Sequence, residues 1–288
     1  MTAEPQKPEH PSTYMVQDRS NGDELKRLRL QDQMLTKSMG GVLPEQADPT
    51  RLRRVLDVGS GTGGWLIELA KAYPTISMLA GADVSLKMIQ AARTQAEEEG
   101  VNDRVEFAVM DALRMLDFPP GYFDLVNQRI NFSYLRTWDW PTLVQQYRRV
   151  CRSGGIIRIT EPSILVESNS PSLNQLADLG LDAFFKAGHL FTPGREGVIG
   201  TLPALLHQQG VVNVEHRAIR IEYSARTESA ATLCDNIQLL FKTIVPFLRK
   251  WTQVPKNYEQ IYQQALADMS QPGFQADYRL LTVWGNTP

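Results

Sequence analysis

Two hydrophobic periods alternate along the chain from Arg54 onward. Short apolar runs bounded by turn residues read as buried strands, and segments with an apolar residue every three or four positions read as amphipathic helices. The pattern predicts strands over 55–58, 76–82, 104–109, 123–127 and 156–160. Between them it predicts helices over 63–73, 86–98 and 141–151. The punctuation agrees: Pro74 follows the first of these helices, Ser85 and Gly100 bracket the second as N-cap and stop, and Pro141 suits the first turn of the third. Ser153-Gly154-Gly155 reads as a turn into the fifth strand. A further helix is expected over 22–39, where Leu25, Leu28, Leu35 and Met39 share a face before Gly40, Gly41 and Pro44.

The last third is patterned differently. Residues 172–188, 196–209, 228–249 and 256–269 read as helical, and 211–223 and 277–284 as strands. Strands alternating with helices imply a doubly wound, Rossmann-like α/β fold, since right-handed crossovers place helices on both faces of a mostly parallel sheet.

Composition changes this picture little. Hydrophobic residues make up 42% and charged residues 22%, the range of ordinary globular domains, which excludes collagen-like, rod-like and wholly disordered chains. With 30 basic and 32 acidic residues the formal charge is −2, so no overall electrostatic footprint for nucleic acid exists. Cys151 and Cys234 are too few for a disulfide framework, which suits a reducing compartment. No apolar run reaches the length of a membrane span. Residues 1–13, interrupted by Pro5, Pro8 and Pro11, read as a disordered tail with no signal-peptide core. The expectation is a soluble, cytoplasmic protein.

Candidate chemistry concentrates in Val55-Leu56-Asp57-Val58-Gly59-Ser60-Gly61-Thr62-Gly63-Gly64-Trp65, where a buried strand runs through a glycine turn into a helix. Glycines let a ligand approach the backbone closely, and the helix N-terminus offers N–H groups to an anion. Gly59, Gly61 and Gly64 also satisfy G-x-G-x-x-G, which alone equally suits NAD. Asp83, after the second strand, fits a ribose-binding acid under either reading. Asp57 tips the balance, because a carboxylate beside the loop welcomes an amine-bearing ligand more than a pyrophosphate. Asp111 after the third strand completes a set of three acids at adjacent strand ends, suited to a nucleoside with a charged amino-acid arm.

The segments VLDVGSGTGGW, GADVS, VMDAL, FDLVNQR and RSGGIIRITEP occur in the order and spacing of class I S-adenosylmethionine-dependent methyltransferases. The chain most resembles the ubiquinone/menaquinone-biosynthesis-like group of small-molecule methyltransferases. The resemblance covers 51–160 strongly. It extends more weakly to Tyr14, to the Glu24, Arg27, Leu28 and Gln31 spacing, and to Val283-Trp284-Gly285.

It implies a seven-stranded sheet with an antiparallel last strand, S-adenosylmethionine as cofactor and S-adenosylhomocysteine as product. By the same resemblance Gly59, Ser60 and Gly61 pass under the methionine arm and Asp57 holds its amino group. Asp83 accepts the ribose hydroxyls, with Val84 and Met88 near the adenine. Asp111, Ala112 and Leu113 border the adenine amino group, and Asn127 and Gln128 border the reacting methyl. The resemblance divides the chain into a helical lid over 14–50, carrying Tyr14 and Gln31, a cofactor-binding core over 51–162, and a C-terminal half over 163–288. Cap insertions fall at 163–195 and 226–272.

On the substrate side, His189 is the candidate general base. Arg129 is a candidate for orienting an anionic substrate or for pairing with an acid such as Glu161, and Tyr14 is a candidate for covering the sulfonium. Arg27 reads either as part of the lid or as half of a surface ion pair. Phe184, Phe185 and Phe191 look like a pocket cap. The apolar residues Ile237, Leu240, Phe241, Ile244, Phe247 and Trp251 read as helix packing. His10, His189, His207 and His216 lack partners at metal-ligand spacing, so no metal is expected. The expected partner is a small, aromatic or apolar methyl acceptor taking the methyl on O, N, S or C, with no nucleic acid, no membrane span and a homodimer as an open assembly. The competing readings are an NAD-dependent oxidoreductase, which lacks a Tyr-x-x-x-Lys dyad here, and a non-catalytic S-adenosylmethionine-binding regulator. A nucleic-acid methyltransferase is opposed by Asn127-Gln128-Arg129-Ile130, which replaces an Asn-Pro-Pro-Tyr-like motif.

Overall fold

The computed structural model describes residue 15, residues 22–224 and residues 229–288. Strands β1 (Arg54–Val58), β2 (Met78–Asp83), β3 (Val105–Val109), β4 (Phe123–Arg129) and β5 (Cys151–Pro162) run parallel in the order β3-β2-β1-β4-β5. Both faces of β1, β2 and β4 are covered, so they read as continuous apolar runs; Val55, Leu56, Leu79, Leu125 and Val126 are all buried, whereas β3 at the sheet edge exposes Glu106 and Val109. The crossovers are α2 (Gly64–Ala72), α3 (Leu86–Glu98) and α4 (Trp140–Val150). The side chain of Ser85 accepts from the backbone N–H of Met88 and caps α3.

The remaining strands are β6 (Glu167–Ser168), β7 (Val212–Ser224) and β8 (Gln275–Asn286). β8 pairs antiparallel with β5, β6 and β7, so the last strand is antiparallel as expected. The sheet has eight strands where the sequence predicts seven; the addition is β6, whose two residues are too few to register as a hydrophobic period. The Ser153–Gly155 turn lies inside β5, where a register irregularity against β4 and Gly154 at φ 68° absorb it as a bulge.

The other helices are α1 (Gly22–Met39), α5 (Pro171–Lys186), α6 (Leu202–Gln208), α7 (Ser229–Thr243), α8 (Val245–Trp251) and α9 (Tyr258–Met269). The helix expected over 196–209 is confined to α6, because residues 193–201 form turns. The single helix expected over 228–249 divides at Ile244, since Pro246 cannot continue a helix but fits the first turn of a new one. Ile237, Phe241, Ile244 and Phe247 are buried in the main core with Phe184, which is helix packing as the spacing implied. The tail expected over 1–13 and Tyr14 lie outside the described residues.

Candidate active site

The carboxyl ends of β1, β2, β3 and β4 meet around the glycine loop, the place where open α/β sheets hold ligands. Gly59 and Ser60 donate their N–H groups to the carbonyl of Ala82 at 2.8 and 3.1 Å, which ties the loop to β2. Gly59 (φ 70°) lies under Asn131: a Cβ there would stand 2.5 Å from the amide of that side chain. Gly63 (φ 79°) is enclosed in the same way by the ring of Phe107. Gly61 (φ 52°) faces open space, with nothing near where a Cβ would be. The Oγ of Ser60 is buried with no hydrogen-bond partner among the described residues.

Asp83 closes the loop from the β2 side. Its Oδ2 accepts the N–H of Gly61 at 3.0 Å and its Oδ1 that of Ser85 at 2.8 Å. Val84 beside it is exposed and Met88 is buried. Met110 N–H bonds the carbonyl of Asp83, which sets the end of β3 next to it. There the Oδ1 of Asp111 accepts from the backbone N–H of Leu113 at 3.0 Å, an Asx-type turn, and its other oxygen lies 3.5 Å from Arg114. Ala112 is buried and Leu113 half-buried.

Asp57 is buried beneath the loop. Its Oδ1 accepts from the Nδ2 of Asn127 at 2.7 Å; the Oδ1 of Asn127 accepts from Nη1 of Arg158 at 2.8 Å; Arg158 pairs with Glu45 at 2.6 Å. Burial, only partly offset by Asn127 and Arg158, pushes the Asp57 carboxyl up to about 7. A second network lies under the loop after β4. Glu161 accepts from the Nε2 of Gln128 at 2.7 Å and the N–H of Asn131 at 2.9 Å, and Tyr147 donates to Gln128 at 2.6 Å. Burial pushes Glu161 up to about 7 as well. The strained residue there is Ile130, a β-branched side chain at φ 56°. That backbone turn brings Asn131 back over Gly59, where its Nδ2 donates to the carbonyl of Val58 at 2.7 Å.

Several sequence-based expectations change here. Asn127 and Gln128 are fully buried, and their amides are spent inside the two networks rather than lining open space. Arg129 pairs with Asp32 of α1, not with Glu161, and also donates to Thr36 at 3.0 Å. Arg27 is buried rather than superficial: it pairs with Glu24 at 2.7 Å and donates to Asn236 of α7 at 3.4 Å and to Gln31 at 3.3 Å. His189 is fully buried against Phe184 and Phe247, with Nδ1 at 2.9 and 2.7 Å from the carbonyls of Phe132 and Leu135. Burial, with Arg136 nearby, drives it down to about 4. A ring that reaches no open space cannot take a proton from a substrate, so His189 is here a packing residue between Phe184 and Phe247.

Sequence reasoning gave no role to Asp32, Asn131, Glu45 or Arg158. A charged residue inside the apolar run Ile156-Ile157-Arg158-Ile159 was the available signal, because such a side chain is buried only with a partner. The other three pair through tertiary contact and carry no local pattern.

Residues 55–155 match a methyltransferase domain family. An N-methyltransferase, verN, of Clonostachys rogersoniana is 26% identical over 218 residues, 73% of this chain and 69% of that protein. The aklanonic acid methyltransferase DauC of a Streptomyces species is 32% identical over 43% of this chain and 54% of its own length. A demethylmenaquinone methyltransferase of Lactococcus lactis is 29% identical over 41% of this chain and 43% of its own. The latter two alignments thus span about half of those relatives. Among solved structures, the YcgJ protein of Bacillus subtilis superposes with a TM-score of 0.56 at 18% identity, covering 88% of this chain and 99% of that one, which establishes the shared fold. Residues 55–155 therefore form a methyltransferase domain of the class I, S-adenosylmethionine-dependent kind, on a fold shared with the YcgJ protein.

Proposed function

We propose that the protein transfers the methyl group of S-adenosylmethionine to an O, N, S or C nucleophile of a small aromatic or apolar molecule. The observation that carries this is the acid-rimmed loop: Asp57, Asp83 and Asp111 at three adjacent strand ends, around an open position over Gly61 and an unpartnered Ser60 hydroxyl. These residues suit a nucleoside with an ammonium-bearing arm. Asp83 is held by two backbone N–H groups, which fixes its carboxylate to accept vicinal ribose hydroxyls. Gly59, Ser60 and Gly61 would lie under the methionine arm, Asp57 would neutralise its ammonium, and Val84, Met88, Asp111, Ala112 and Leu113 would enclose the adenine. Gln31 stays a candidate for covering the ligand, since α1 lies against the start of α2 through Asp32 and Gly64, and Tyr14 stays one by the sequence resemblance alone.

When bound, the cofactor supplies a methyl group already activated on a sulfonium. The protein's part is then to align the acceptor and exclude water, which contributes several kcal/mol without a covalent intermediate. Relatives described as acting on aklanonic acid and demethylmenaquinone support a small aromatic acceptor. No helix among the described residues is long and apolar enough to cross a membrane.

Thermal unfolding with S-adenosylmethionine, S-adenosylhomocysteine, NAD and NADP in parallel tests the reading. A ligand at 100 times its dissociation constant stabilises by about 2.7 kcal/mol. Stabilisation by the adenosyl ligands alone is expected; stabilisation by NAD alone would return the loop to the oxidoreductase reading.

A further inference from the structure

One charged contact at the loop belongs to neither network. Asp32, on α1, pairs through Oδ1 with Nη2 of Arg129, at the end of β4. Its Oδ2 occupies the space that a Cβ on Gly64 would need, at the first residue of α2. The N-cap of α2, Gly63, brings no side chain to that helix end, so the carboxylate supplied there is the one from α1. Arg129 is nine-tenths buried and beside a second buried arginine, Arg158; both effects disfavour its charge and push its pKa down to about 9. A guanidinium so placed needs a carboxylate partner, because a buried cation left alone costs several kcal/mol.

Asp32 thus stands between Arg129 and the first residue of α2, one oxygen on each, so that the chain's own carboxylate fills the space between a buried arginine and a helix start. It adjoins the loop assigned above to the amino-acid arm of the cofactor. We propose that Asp32 is an internal stand-in for the α-carboxylate of that arm: ligand binding displaces Asp32 from Arg129 and so couples occupancy of the loop to movement of α1. This rests on the S-adenosylmethionine reading. It adds that Arg129 recognises the cofactor rather than the methyl acceptor, and that α1 competes with the ligand before covering it.

The test compares two ligands that share the adenosine and sulfur but differ in the carboxylate. S-adenosylhomocysteine carries the amino-acid arm and 5′-methylthioadenosine does not. Calorimetric dissociation constants are measured for the unaltered protein, Asp32→Asn, Arg129→Met and the double variant. Removing the competing charge in Asp32→Asn should tighten S-adenosylhomocysteine by about fivefold or more and leave methylthioadenosine unchanged. Arg129→Met should weaken S-adenosylhomocysteine alone, and Asp32→Asn should have no further effect in that background. Equal changes for both ligands, or selective weakening of S-adenosylhomocysteine in Asp32→Asn, would make Asp32 a structural or direct ligand contact and overturn the proposal. If the unaltered protein binds neither ligand, the cofactor reading fails first and this inference with it. If Asp32→Asn unfolds, Asp32→Ser under the same comparison takes its place.

Discussion

At the scale of single residues, the site is a set of carboxylates in unequal surroundings. Asp83 is half-buried and accepts the N–H groups of Gly61 and Ser85, so replacing it by alanine should cost about 1–3 kcal/mol of folding stability. It should weaken S-adenosylhomocysteine at least about tenfold, because a charge-assisted bidentate contact is lost; unchanged affinity in calorimetry would remove its ribose role. Asp57 is held otherwise. Its folded pKa stands near 7, against an ordinary value of 3.8 that the unfolded chain regains. Between about pH 4 and 7 the folded chain therefore keeps a proton that the unfolded chain has lost, and stability falls as pH rises through that window. Asp57→Asn should flatten this decline by up to about 1.4 kcal/mol per pH unit, as read from urea unfolding at successive pH values. A parallel, unflattened profile would show that Asp57 stays ionised. The acids were legible in the sequence as types at strand ends. Their partners were not: nothing local in Asn127 marks it as the bridge from Asp57 to Arg158.

Elements decide which glycines matter. Gly61 and Gly63 both have positive φ, yet their surroundings differ: one faces space and the other the ring of Phe107. Gly61→Ala should fold with a loss of about 1–2 kcal/mol, the cost of a left-handed alanine, while placing a methyl in the cradle and weakening S-adenosylhomocysteine. Gly63→Ala should cost about 2–4 kcal/mol, since overpacking against Phe107 adds to the same backbone term. Urea unfolding of the pair, with ligand titration of the first, checks both; equal destabilisation would contradict the packing difference. The spacing of the glycines was readable, but which are closed in by side chains depends on β3 and on the loop after β4. Helices begun by a capping serine, such as α3 and α5, fall close to the expected bounds, as does α1, which stops before Gly40 and Gly41. The misses lie where a short element lacks a period, as in β6, or where turns extend an apolar stretch, as before α6.

Across the whole molecule, buried ion pairs join segments that hydrophobic patterning leaves independent. Glu45, in the segment after α1, reaches Arg158 in the centre of β5, and both side chains are nearly sealed from solvent. Glu45→Gln should destabilise the protein by about 3–5 kcal/mol, because Arg158 would keep its charge and lose its countercharge. A change below about 1 kcal/mol in urea unfolding would mean that the pair behaves like a surface bridge. Arg27, paired with Glu24 of the same helix, performs a related role by donating to Asn236 of α7. These contacts anchor the segment after α1 to the centre of the sheet and the first turns of α1 to α7.

The sequence by itself determined the alternation of strands and helices, the glycine loop and the three acids at its edge. Each of these rests on short-range chemistry: hydrophobic period, capping, and the backbone freedom of glycine. Only the tertiary structure decided that His189 is a sealed packing residue, that Asn127 and Gln128 serve buried networks, and that Arg129 meets Asp32. Those outcomes depend on which side chains become neighbours after the sheet is wound, across separations such as the 97 positions between Asp32 and Arg129. Burial then sets the charge state of each group, and burial is a property of the packed molecule rather than of any local pattern.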